Sequence, residues 1–247
     1  YSSPRKKELA ENCHPFAVEI KDFTKPVDIP AVDVPAGYTT LFVFPYSVGF
    51  QFSGFKNLAA LNEAITKRLK NLGVTTLLFM RHLELIEYEI KIPGKEASGE
   101  YLLDAEPIND HCTRVSAIES EDDKTDESLS FIKFSMPIDS RVSTRTIDVA
   151  FTVATDKEGK TTFQKAKNPY ISVYFPTETE SKLDFIVQGP FRTTPNRSSV
   201  PADEEENEAL AEQTAKLLRQ SVLEMRDMGL LDLSLIRILP LDEDDFD

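Results

Sequence analysis

The sequence predicts an α+β fold in two modules, and three observations support that prediction. Runs rich in β-branched and aromatic residues crowd the stretch from 130 to 188. Segments after Asn57 and after Asp203 carry apolar residues at helical spacing. Acidic and Gly-Pro stretches punctuate these runs as turns and loops. At about 150 residues per domain, the length of 247 residues predicts one to two domains. Hydrophobic residues make up 40% and charged residues 28%, enough to build a real core and to exclude disorder along the whole length.

Residues 1–15 show no periodicity. Phe16, Val18, Ile20 and Asp22 alternate with Ala17, Glu19, Lys21 and Phe23, which predicts a strand. Pro26, Pro30 and Pro35 then make an extended connector. Gly37-Tyr38-Thr39-Thr40 leads into Leu41-Phe42-Val43-Phe44, a strand apolar on both faces and therefore central, ended by Pro45. Asn57 is placed to cap a helix running to about Leu72. Leu58, Leu61, Ile65 and Leu69 follow one stripe of it, with Lys67, Arg68 and Lys70 off or beside that stripe. Gly73 suits the left-handed C-terminal cap. Thr75 to Leu83 is apolar and of either type; Leu85 to Ile92 alternates as a strand, and Pro93-Gly94 turns the chain.

The module boundary is drawn near residue 95, giving modules 1–95 and 96–247. Glu119, Glu121, Asp122, Asp123, Asp126 and Glu127 predict a solvated loop between 119 and 127. Strands follow at Ser130–Met136, Thr146–Thr155, Thr161–Lys165, Tyr170–Phe175 and Leu183–Gln188. Asp156-Lys157-Glu158-Gly159 is a hairpin turn with glycine where positive φ is wanted. A long helix spans about 203–228. Asp203 is its expected N-cap, and Glu204, Glu205 and Glu206 suit the positive end of its dipole. Leu210, Thr214, Leu217, Ser221 and Met225 follow its stripe, with Leu218 and Val222 beside it, and Gly229 stops it. The acidic tail Asp242–Asp247 reads as frayed, and there is no internal repeat.

Lys plus Arg number 28 against 42 Asp plus Glu, a net charge of -14. Such a surface repels nucleic-acid phosphates and anionic membranes, and keeps the protein soluble. It also opposes ATP binding unless Lys, Arg or Mg²⁺ is at hand. Two cysteines, Cys13 and Cys112, cannot build a disulfide scaffold. No apolar run approaches the ~18 residues of a membrane span. The start at Tyr1 and the polar residues after it show no signal peptide. The expectation is a cytoplasmic or otherwise intracellular chain cut from something longer.

The motifs GxxxxGK[ST], GxSxG and Asp-x-Gly-x-Gly are absent. Cys13-His14 and His111-Cys112 supply zinc-ligand types, but adjacent residues point apart on a strand, so no metal site is expected. His82 has no evident Ser, Cys or Asp partner and reads as structural. The segment from Gly189 to Pro201 is different. It follows a strand, precedes a strong helix and sets Arg192 and Arg197 among hydroxyls. Two guanidinium groups near a helix N-terminus suit a phosphate or carboxylate. Equally, they can pair with Glu204 to Glu206 and pin the loop.

The run Phe185-Ile186-Val187-Gln188-Gly189-Pro190-Phe191-Arg192-Thr193-Thr194-Pro195-Asn196-Arg197 resembles a segment of sacsin-like and ninety-kilodalton-chaperone-like GHKL ATPases. In that family it follows the ATPase domain and leads into a long helix. Gly37-Tyr38-Thr39-Thr40-Leu41-Phe42-Val43-Phe44-Pro45 is similar to the family's last ATPase strand, and Leu77 to Leu83 matches in order. The resemblance implies that 1–95 is the remnant of a GHKL α/β sandwich. It implies that 96–247 is a middle or transducer domain with a mixed, mainly antiparallel sheet and the long helix. Gly37, Thr39 and Thr40 would border the adenine pocket. Arg197 would be the catalytic arginine reaching the γ-phosphate, with Arg192 in reserve. ATP and Mg²⁺ would be held mostly by an upstream ATPase segment of the same parent. The chaperones carry glutamine four residues past that arginine, where this chain has Pro201. Ser53-Gly54-Phe55-Lys56 imitates the family's lid motif but follows the Thr-Thr strand instead of preceding it. The chain would sense and relay nucleotide state without hydrolysing ATP alone. Its partners would be the upstream segment, protein clients or a second copy. The competing expectation is a protein-interaction or scaffold module with no nucleotide role.

Overall fold

A computed structural model describes residues 56–122, 124–139, 142–167 and 169–240. The predicted strands at 16–23 and 41–44, together with Gly37, Thr39, Thr40, Cys13, His14 and the acidic tail, lie outside the described residues. The chain divides into two compact units, Tyr1–Leu69 and Lys70–Asp247. Helix α1 runs Leu58–Lys70, and all but its last residue belongs to the first unit. As the sequence predicts, the Asn57 carboxamide caps it, accepting from the Ala60 N–H at 2.8 Å. Along its predicted stripe Leu61 is buried, whereas Ile65 is exposed.

The second unit is α+β: a mainly antiparallel sheet, a long helix and a short one. Its strands are β1 (Leu85–Ile92), β2 (Lys95–Pro107), β3 (Cys112–Glu121), β4 (Lys124–Asp139), β5 (Val142–Thr155), β6 (Thr161–Gln164), β7 (Tyr170–Val173), β8 (Phe175–Glu180) and β9 (Ile186–Gln188). Helix α2 is Glu205–Asp227 and α3 is Leu233–Ile236. The sheet order is β1-β2-β3-β4-β5-β9-β7-β8, with β6 also paired to β5. Consecutive hairpins build β1 to β6; the β7–β9 pairing is parallel.

Three sequence expectations need correction. The acidic 119–127 stretch is not a loop: β3 and β4 run through it, and the chain turns at Asp122, whose φ is +49°. The Asp122 carboxylate accepts from the Ser98 N–H at 3.1 Å, and its own N–H donates to the Ser98 carbonyl at 3.1 Å. Second, β2 and β3 escaped the sequence reading. Their buried positions are often small, including Ala97, Cys112 and Ala117, so the alternation is faint. Third, the N-cap of α2 is Glu204, with no side-chain cap bond, and not Asp203. The boundary drawn near residue 95 falls at the β1–β2 turn, between strands paired from Leu85↔Leu102 to Ile92↔Lys95.

Each sheet face has its own core. On one face Phe134, Ile147, Phe151 and Phe185 pack with Leu210, Leu217 and Met225 of α2 and with Leu235 of α3. On the other, Tyr101, Val115, Phe131 and Ile186 pack with Val74, Leu77, Leu78 and Phe79. That apolar 74–80 segment is neither helix nor strand. It is a series of turns, with the N–H groups of Thr76, Leu78 and Met80 donating to the carbonyls three residues back at 2.9–3.1 Å. Helix α2 ends as a Schellman motif: Gly229, at φ +74°, donates to Arg226 at 2.9 Å, and Leu230 to Met225 at 2.8 Å. The hairpin turn at Gly159, φ +83°, is as predicted.

Candidate functional site

The loop from Gly189 to Pro201 is built mostly on its own hydrogen bonds. Phe191 anchors its start, 8% exposed, in the core. Asn207, in the first turn of α2 and 5% exposed, holds the next residue at both polar ends. Its Oδ1 accepts from the Arg192 N–H at 2.7 Å, and its Nδ2 donates to the carbonyls of Arg192 at 3.1 Å and Pro201 at 2.7 Å. The tip is a second knot. Thr194 and Ser199 exchange backbone and hydroxyl bonds, and the Asn196 carboxamide accepts from Thr194 Oγ1 at 2.7 Å and Ser198 Oγ at 3.0 Å.

The two predicted arginines are treated differently. Arg192 Nε lies 2.9 Å from Glu206 and Nη1 lies 3.4 Å from Glu204, so the guanidinium is engaged by the start of α2. Arg197 sits at the tip with φ +60°, its N–H donating to the Thr194 carbonyl at 2.8 Å. Its side chain is exposed and makes no hydrogen bond or ion pair among the described residues. The site therefore offers one anchored guanidinium and one outward guanidinium on a braced turn. Gly37, Thr39 and Thr40 lie outside the described residues, so no geometry joins them to this loop.

A second constellation escaped the sequence reading. Asp148 on β5 is 7% exposed and stands opposite Ser135 on β4 and Gln188 on β9. Thr146 Oγ1 approaches its carboxylate at 3.0 Å, and the Ser135 hydroxyl bonds it as well. Burial pushes the Asp148 carboxyl up against these bonds and the Lys133 charge. Burial also pushes Lys133 down; its Nζ donates to the Leu78 carbonyl at 3.2 Å. Arg81 Nη2 donates to Thr146 Oγ1 at 3.0 Å. Among the described residues, Gln188 Oε1 is the buried side-chain atom left without a partner. The Thr146 and Ser135 hydroxyls are thus held on the Asp148 carboxylate, and the Lys133–Leu78 and Arg81–Thr146 bonds fasten the 74–81 segment to the sheet. The sequence does hold its signal: Lys133, Asp148 and Gln188 each interrupt an apolar run.

No group of three or more metal-ligating side chains gathers among the described residues. Cys112 is fully buried, and His111 and His82 are exposed. No described helix is long and apolar enough to cross a membrane. No protein-family model, no curated protein and no solved structure matches the chain.

Proposed function

We propose that this chain is the nucleotide-state-sensing and relay portion of a GHKL ATP-binding protein of the sacsin and ninety-kilodalton-chaperone kind. Residues 1–95 would close its ATPase sandwich and 96–247 would form its middle domain. The observation that carries the reading is Arg197, an exposed guanidinium with no partner among the described residues, raised on a braced turn ahead of a 23-residue helix. Such a group suits charge developing on a phosphoryl oxygen. Bound Mg²⁺-ATP would supply the scissile phosphoanhydride; this chain would supply the neutralising arm and the helix that moves with it. The described residues fit one arm of a phosphate contact, since the neighbouring hydroxyls of Thr194 and Ser198 already bond Asn196. The parent would act inside cells, on protein clients or as a homodimer.

The test uses the parent protein with its upstream segment. Arg197→Ala should lower ATP turnover about 100-fold or more and leave the melting temperature unchanged. Unchanged turnover would sink the assignment, as would an upstream sequence lacking an Asn-bearing helix, Asp-x-Gly-x-Gly and a glycine-rich lid. The Arg192 ion pairs favour a second reading, an interaction module whose arginine loop is pinned for structure. Under it, substitution of Arg192 alters stability by at most about 1 kcal/mol, as for exposed pairs, and substitution of either arginine leaves ATPase untouched.

A further inference from the structure

Beside the arginine loop, helix α2 stands off the sheet far enough to leave a groove of about 220 Å³. Phe185, Val187 and Phe191 line it as buried side chains, and Ala211 and Ala215, one helical turn apart, keep its helical wall open. The polar groups at its margin are donors. Lys182 is exposed at φ +57°, and its ammonium makes no hydrogen bond or ion pair among the described residues. The nearby Asp184 is already paired with Lys165 at 2.7 Å. Ser181 Oγ accepts from the Leu183 N–H at 3.2 Å, which leaves its own proton to donate. The Thr214 hydroxyl donates inward to the Leu210 carbonyl at 2.8 Å.

We infer that this groove binds a small amphiphilic carboxylate, an acyl chain lying along Phe185, Val187 and Phe191 with its head at Ser181 and Lys182. Three features select that chemistry. An apolar cavity of ~150 Å³ already accepts benzene, so 220 Å³ takes a short acyl chain. A margin made of one ammonium and one hydroxyl donor complements an anionic acceptor head. A peptide fits poorly, because its backbone amides would enter an apolar groove without partners.

The test is calorimetric titration of the full chain with octanoate, 1-octanol and octylamine. Octanoate should bind saturably and at least tenfold tighter than the other two. Lys182→Gln should weaken octanoate about tenfold, the loss of one charged hydrogen bond, and leave 1-octanol unchanged. Ala215→Leu, which fills the groove, should abolish octanoate binding while the melting curve shows a folded protein; should it not fold, Ala211→Leu fills the same wall. Absence of octanoate binding, equal binding of all three probes, or binding that survives the filled groove would each overturn the inference.

Discussion

Asp232 and Asp148 are displaced in opposite directions for opposite physical reasons. The Ser234 hydroxyl and the Lys160 ammonium, with the Ser234 and Leu235 N–H groups, hold the Asp232 carboxyl well below the usual range. A lowered carboxyl stabilises the fold above its unfolded pKa, and that contribution fades as pH falls toward the folded value. Asp232→Ala should therefore cost about 1–2 kcal/mol at pH 7, the worth of an N-cap. Its gap to the parent in urea melts should begin to narrow below about pH 4 and keep narrowing as pH falls further. Asp148 is raised by burial, so the fold favours its protonated form. That contribution is present at low pH and lost as pH rises through the raised value. Asp148→Asn should gain on the parent as pH rises; a flat difference across pH would show that the group does not titrate in the fold. Burial likewise pushes the Cys112 thiol up to about 11, which leaves little nucleophilic thiolate at neutral pH.

At the scale of elements, Asn207 couples α2 to the arginine loop through three hydrogen bonds. Asn207→Ala would leave the Arg192 N–H and two carbonyls unpaired, at about 1–3 kcal/mol for each buried group that water cannot reach. The expected outcome is a lower melting temperature together with faster amide exchange across residues 191–201. Intact protection of that loop would show that its own knot at Thr194–Ser199 suffices. The loop was legible in the sequence as an arginine-bearing segment ahead of a helix. Which arginine is pinned was not, because Glu204 and Glu206 lie within reach of either one until the backbone is bent. The long helix was legible because its apolar stripe repeats at 3.6 residues, and Leu210, Leu217, Ser221 and Met225 are buried as that stripe requires. Helix α3 was not, since four residues carry no period; its stability comes from the Asp232 cap and from Ser234 Oγ accepting the Phe163 N–H at 2.9 Å.

For the whole molecule, the compact unit begins at Lys70, so the sheet and both its cores belong together. A protein of residues 70–247 should fold with one cooperative thermal transition. One beginning at residue 96 loses β1 and the 74–79 segment, which strips the covering from Tyr101, Val115 and Phe131. It should melt lower or aggregate; equal stability of the two would support a boundary near residue 95. The sequence by itself determined the α+β class, the β1 span, the Gly159 and Gly229 stops and the stripe of α2, because each rests on local period or on the φ that glycine allows. Only the tertiary structure decided that the acidic 119–127 stretch pairs as a hairpin, that small residues in β2 and β3 are core, and that Lys133, Asp148 and Gln188 converge. Cross-strand pairing brings together residues far apart along the chain, and no local pattern encodes which neighbours they meet.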